Sequence, residues 1–164
     1  MNRSLKHILG IVVSVCTVNF LFAQQANFQG NWAINKSKTV FNDTPEWTVP
    51  FRIEVSEGTS ISIQRFTMDK DNNEVTYNEK FNNDHGTCES TLSSGGKRKA
   101  SILWDHSKSG FVIASTSTDL EGNLSQKIRE TWSLEDGGKT LVLNRNVEQS
   151  NGFLYSIKAY YNKN

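Results

Sequence analysis

Cysteine and proline are almost missing from this chain. Of 164 residues, two are cysteine and two are proline. Cys16 lies in an apolar leader and Cys88 is the other, so no internal disulfide can form once that leader is removed. The fold must then rest on burial and backbone pairing alone. A charge excess of either sign is missing too, with 18 basic against 17 acidic residues. Phosphate neutralisation needs a clear basic surplus, so the balance argues against nucleic acid as a partner. Helical periodicity is missing as well: beyond the leader, apolar residues recur at every second position, not every third or fourth.

The leader comes first. Arg3, Lys6 and His7 make a basic start, and Ile8 to Phe22 is mostly apolar. Ala23 supplies the small residue a signal peptidase needs, and Gln24-Gln25 opens a polar stretch. Residues 1–23 read as a secretory signal peptide, and 24–164 as one domain. The apolar run is shorter than the roughly 20 residues that span a bilayer, which argues against a membrane anchor. Val13-Ser14-Val15 before Cys16 lacks the small residue that lipidation wants at the last position. Cleavage would remove Arg3 and Lys6, leaving 16 basic against 17 acidic residues and a formal charge of −1. The expected location is secreted or periplasmic.

The remainder of the chain is a series of alternating runs. Phe51, Ile53 and Val55 share one parity, as do Val75, Tyr77, Glu79 and Phe81. Leu124, Gln126, Ile128, Glu130 and Trp132 form another set, and Leu141, Leu143, Arg145 and Val147 the next. Phe153, Tyr155, Ile157, Ala159 and Tyr161 form the last. Such runs, rich in aromatic and β-branched residues, fit half-buried strands. Eight clusters of Gly, Asn, Asp and Ser punctuate them, from Ser56-Glu57-Gly58-Thr59 to Gln149-Ser150-Asn151-Gly152. With a strand from Gly30 to Ile34 the total reaches ten. Sequential hairpins without long crossovers favour an all-β, single antiparallel up-and-down meander barrel of about 8–10 strands over a Greek-key sandwich. Closure would also remove exposed edges. The one long connection, residues 36–50, holds both prolines, Pro45 and Pro50, and is where a barrel mouth would be lidded or left open.

Phe28-x-Gly30-x-Trp32 behind a leader, with a ten-strand meander after it, resembles the calycins, the lipocalins and fatty-acid-binding proteins. The segment from Glu130 to Arg145 and the tail Ala159-Tyr160-Tyr161-Asn162-Lys163 are similar to small secreted bacterial lipocalin-like domains. The resemblance implies that Trp32 plugs the closed end, with a basic side chain from the last strands, Lys158 or Arg145, stacked over it. Two departures stand out. Fatty-acid-binding proteins carry Arg-x-Tyr on the final strand to hold a carboxylate; with Tyr161 on that tyrosine, Ala159 takes the arginine position. They also carry a helix-turn-helix lid, for which residues 36–50 are too short and too rich in proline.

Parity supplies the candidate site. If Trp132 pairs with Leu141, Glu130 and Arg145 become diagonal neighbours on the apolar face. Charges on that face must pair or bind something, because an isolated buried charge is very costly. Gln126 and Glu79 share the face. The expected function is binding of a small, largely apolar or amphipathic ligand inside the barrel. Glu130, Arg145, Gln126 and Glu79 would orient its polar end, with Tyr77, Tyr155 and Trp104 as wall residues. Phe51, Phe66, Phe81 and Phe111 are the other aromatics read as inward. A one-residue slip would turn the whole set to solvent. Two other readings stand beside this one: a structural or interaction module with a solidly packed barrel, and an isomerase or cyclase using Glu130.

Other motifs carry less. Asp69-Lys70-Asp71-Asn72-Asn73 starts like a calcium loop, but Glu74 and Lys80 stand where Gly and Glu are needed. Asp84-His85-x-x-Cys88 falls short of a zinc signature. There is no Gly-x-Ser-x-Gly, so catalytic residues are not assigned and no cofactor is expected. Cys88, of one parity with Leu92, reads as a small buried hydrophobe. Lys97-Arg98-Lys99 reads as a solvated turn face.

Overall fold

A computed structural model of the protein describes residues 26–42, 44–69, 71–82, 86–92 and 94–164. The leader expected at residues 1–23 lies outside them. The strands are β1 (Gly30–Ile34), β2 (Arg52–Glu57), β3 (Ile61–Met68), β4 (Glu74–Phe81), β5 (Thr87–Thr91), β6 (Lys97–Trp104), β7 (Gly110–Thr118), β8 (Leu124–Glu135), β9 (Thr140–Gln149) and β10 (Leu154–Lys163). They form one antiparallel sheet in the order β4-β3-β2-β1-β10-β9-β8-β7-β6-β5. This is the up-and-down barrel that the alternation and turn spacing predict. The described part of the 36–50 connection holds one short 3-10 turn, Glu46–Thr48, and no α-helix.

Closure is achieved by pairing the first strand with the last, through Trp32↔Lys163 and Ile34↔Tyr161. It is not complete. β4 and β5 stand side by side with no ladder between them among the described residues. The expectation that closure removes both edges is corrected to this extent: one seam remains, and side chains bridge it.

Four turns at one end share a single geometry. Asn72, Gly95, Gly122 and Gly152 have φ of 65°, 82°, 87° and 84°. Each donates its N–H back three residues, to the carbonyls of Asp69, Leu92, Asp119 and Gln149, at 2.8–3.2 Å. Each thus closes a tight turn with a left-handed residue, as short hairpin loops commonly do. The Asp69 and Asp119 carboxylates reinforce two of them by accepting backbone N–H groups at 2.8–3.0 Å. Asp69 therefore nucleates a hairpin turn. These four turns and the long 36–50 connection ring the mouth; the chain enters and leaves at the opposite end.

That opposite end is closed by aromatics. Phe28, Trp32, Phe111 and Trp132 are fully buried. Phe111 stacks on Trp132 at 5.2 Å, and Phe28 meets Phe111 edge-on at 4.7 Å. Burying each such ring contributes about 1.5–3 kcal/mol, so this plug anchors the fold. The geometry also explains Phe28-x-Gly30-x-Trp32. The Trp32 indole N–H donates to the Phe28 carbonyl at 2.9 Å. Gly30 has φ of 143°, and a Cβ there would lie 2.7 Å from the Lys163 stem. That stem crosses Gly30 so that its ammonium sits 5.1 Å above Trp32. The basic residue over the tryptophan is thus Lys163, not Lys158 or Arg145. Lys158 is exposed on the outer wall, and Arg145 is used elsewhere.

Candidate functional site: a buried charged layer under a half-open vestibule

Above the aromatic plug lies a layer of five charged side chains. Ile61, Ile63 and Arg65 alternate inward on β3, and Tyr77, Glu79 and Phe81 do so on β4. Arg98, Ala100 and Ile102 point inward from β6, and Ile128, Glu130 and Trp132 from β8. The β8–β9 register pairs Glu130 directly with Arg145 and Trp132 with Leu143. The diagonal placement expected from a Trp132–Leu141 pair is corrected by two residues along β9. Because the shift is even, the face is unchanged. The cause is the connecting turn: Asp136, Gly137 and Gly138 all take positive φ and shorten the loop between Glu135 and Thr140.

Arg65 is the hub. Its Nη1 and Nη2 donate to the two Glu130 oxygens at 3.0 and 2.7 Å, and its Nε donates to Glu79 at 2.8 Å. The Arg145 Nη1 donates to Glu130 at 3.1 Å, and the Arg98 Nε to Glu79 at 3.0 Å. The last contact spans the seam, tying β6 to β4 where no backbone ladder does. Arg65 also lies 5.1 Å over the Trp132 ring, and the Tyr77 ring lies under both Arg65 and Arg98, at 5.7 and 5.9 Å. Arg65 and Glu130 are fully buried; Arg98 and Arg145 retain only 4% and 9% of their surface.

The electrostatics reflect this arrangement. Burial by itself would push the Glu130 carboxyl up. The charges of Arg65, Arg145 and Arg98 outweigh it and hold the group down to about 2. Arg65 likewise loses hydration, yet Glu130 and Glu79 keep it charged and raise it well above its ordinary value. Burial and the Glu130 charge both push the Tyr161 phenol up. Its hydroxyl donates to the Pro50 carbonyl at 3.0 Å, pinning the returning arm of the long connection. Ala159 is fully buried opposite Leu143. The final strand therefore offers no arginine, and its tyrosine holds backbone.

The layer is not internally balanced. Its buried charges are three guanidiniums and two carboxylates, and no other charged side chain is buried among the described residues. Several of its donors lack partners: the Arg98 Nη2, the Arg145 Nε and the hydroxyls of Ser115 and Ser117. The Trp132 indole N–H is also unpaired. Ser117 sits beside Arg98 on the neighbouring strand, and Ser115 one inward step deeper. Above them toward the mouth, Phe51, Val75, Tyr77, Gln126 and Tyr155 are only half-buried. Solvent thus reaches these side chains on the mouth side of the charged layer.

Of the residues expected at the site, Glu130, Arg145 and Glu79 meet in the layer, and Tyr77 covers it. Gln126 and Tyr155 stand on the mouth side. Trp104 does not join them: it packs at the closed end, 5.8 Å from Phe28 and 4.9 Å from Phe111. Phe66 faces outward, capped by the Arg52 guanidinium at 3.6 Å. Arg65 and Arg98 are the residues that sequence reasoning missed. Arg98 is no solvated turn residue; its parity with Ala100 and Ile102 would have placed it inside. Arg65 shares parity with Ile61 and Ile63 in the same way. Cys88 is half-buried opposite Ala100, and burial pushes its thiol up.

The ten strands thus form an antiparallel up-and-down barrel with a charged layer in its interior. No family model matches the chain, and no curated protein matches it by sequence. Among solved structures it is similar to the zebrafish ileal bile acid-binding protein, crystallised with cholic acid. The two share 14% identity and superpose with a TM-score of 0.50, covering 84% of this chain and 98% of that one. At that identity the likeness is one of fold.

Proposed function

We propose that this protein is a secreted or periplasmic carrier that takes a small amphipathic molecule through its mouth. The ligand's anionic end rests on Arg98 and Arg145, and its apolar body lies against Phe51, Tyr77 and Tyr155. The observation that carries this reading is the unbalanced layer: three buried guanidiniums against two carboxylates, with guanidinium N–H groups and two serine hydroxyls left unpaired. A buried polar network is costly, and a half-satisfied one is worse than an apolar core. An anion arriving from the vestibule would satisfy those donors and cancel the surplus charge. The bile-acid-binding neighbour supports a barrel of this kind as a container. The basic, apolar leader supports export. A solidly packed module is the second reading, favoured by the near-complete burial of Arg65, Glu79 and Glu130.

The test is calorimetry with matched pairs of ligands, a long-chain or steroidal carboxylate and its neutral amide. The carboxylate is expected to bind about tenfold tighter or more, the scale of one charge-assisted contact. Arg98→Gln, which leaves Glu79 paired with Arg65, is expected to bring the two affinities close to parity. Equal affinities in the native protein would remove the anionic part of the proposal. No binding of either, by a monodisperse folded protein, would leave the packed module.

A further inference from the structure

Among the described residues, seven large apolar side chains are exposed: Val40, Trp47, Leu103, Leu120, Leu124, Phe153 and Leu154. Six of them are at the mouth end, and Leu103 alone is near the closed end. Leu120, Phe153 and Leu154 are 77%, 56% and 68% exposed. They are also adjacent in space. The β7–β8 and β9–β10 turns are tied together where Ser150 donates its N–H to the Ser125 carbonyl at 2.9 Å. Leu120 reaches across to Gly95 in the β5–β6 turn. Val40 of the long connection bridges to Lys158 on β10, whereas Trp47 lies in the 3-10 turn that packs beside β3. Leu120, Leu124, Phe153 and Leu154 thus form an apolar lip on the β7–β10 side of the mouth.

The outer wall behind the lip is cationic. Directly behind the lip, on the outer wall of β6, β8 and β10, stand Lys97, Lys99, Lys127, Arg129 and Lys158, all exposed. Glu89 and Glu148 face two of them, at 3.6 and 3.3 Å, and leave a cationic surplus. A groove of about 910 Å³ on this wall is lined by Lys99, Lys127, Arg129, Asn146, Glu148 and Leu154 among others. Acidic residues stand at the mouth on both sides: Asp69, Asp71 and Glu74 on the β3–β4 turn, and Asp119 and Glu121 flanking Leu120 on the β7–β8 turn.

We propose that the lip docks on an anionic lipid surface. Leucine and phenylalanine tips backed by lysine and arginine are the chemistry of an interfacial membrane contact. The apolar tips enter the acyl boundary and the cations stay with the headgroups. The apolar tips and the cationic wall behind them set the orientation, with the lip down and the mouth at the bilayer edge. Cations near an anionic surface each strengthen the attraction, within a Debye length of the headgroups. The attachment is peripheral and needs neither a spanning segment nor an occupied interior.

Vesicle co-sedimentation of the processed chain, beginning at Gln24, tests this. Phosphatidylglycerol-containing vesicles are expected to retain the protein, and pure phosphatidylcholine vesicles to retain much less. Leu120→Ser with Phe153→Ser should lower partitioning by about tenfold or more, as the loss of two exposed apolar anchors implies. Melting temperature should change by only a few degrees at most, because both side chains are more than half exposed. Leu103→Ser should leave partitioning unchanged, and Lys99→Gln with Lys127→Gln should weaken it at low salt. Failure to sediment with anionic vesicles, or sedimentation indifferent to the lip variants, would overturn the proposal. So would a concentration-dependent dimer abolished by Leu120→Ser with Phe153→Ser, which would give the lip to a second copy of the chain.

Discussion

Arg65 and Glu130 meet through both carboxylate oxygens, at 3.0 and 2.7 Å, across 65 residues of chain. This contact joins β3 to β8 through the middle of the barrel. Removing one partner of a buried pair costs about 3–5 kcal/mol, because the other charge is left unsatisfied. Glu130→Gln would leave three guanidiniums against Glu79 alone. Its thermal midpoint is expected to fall by roughly 10 °C, at about 2–4 °C per kcal/mol for a domain of this size. Lys127→Gln, which breaks only an exposed pair with Glu148, should move it by about 1–2 °C at most. Differential scanning calorimetry separates the two, and equal shifts would refute a buried, closed layer.

The same carboxyl makes the fold acid-sensitive. Glu130 has an ordinary value of 4.5 and is held down to about 2 in the fold. A group whose native value is depressed binds its proton more readily when unfolded. Its contribution is complete above about pH 4.5 and is lost as pH falls toward 2. The size is on the order of 3 kcal/mol for this fully buried group. Urea midpoints measured from pH 7 down to pH 2 should therefore decline below about pH 4.5. In Glu130→Gln the decline should be shallower, and a parallel decline in both proteins would count against the assignment.

Tyr161 sets the position of the long connection. Its buried hydroxyl donates to the Pro50 carbonyl at 3.0 Å. Tyr161→Phe keeps the ring and deletes the bond, leaving a buried carbonyl short of a donor. The expected loss is about 1–2 kcal/mol. Amide exchange of Phe51, whose N–H donates to the Phe66 carbonyl at 2.9 Å, should accelerate more than that of β8 or β9. Uniform acceleration across the barrel would mean that Tyr161 supports the whole fold instead of this arm.

Much of the architecture is legible in the chain because strand geometry is local. Alternation at a period of two places Glu79, Glu130 and Arg145 on the inner face whatever the strands pair with. The even register shift at β8–β9 moves Arg145 from diagonal to opposite without moving it off that face. Phe66 shows where parity needs more than its own residue type. Its neighbour Arg65 takes the interior, and Arg52 covers the ring outside. Arg98 is hidden for a related reason: between two lysines it looks like surface, although Ala100 and Ile102 share its side.

The container is written into the chain. The turn residues, the alternating runs and the Phe28-x-Gly30-x-Trp32 opening specify a ten-strand meander, because each depends on contacts a few residues long. The middle of the container is a matter of long-range contact. The Arg65 bridge to Glu79 and Glu130, the Arg98 contact across the seam and the Lys163 cap on Trp32 join positions 14 to 131 residues apart. No local preference encodes them. They arise because closing the barrel forces buried charges on different strands to find one another, and because three guanidiniums find only two carboxylates.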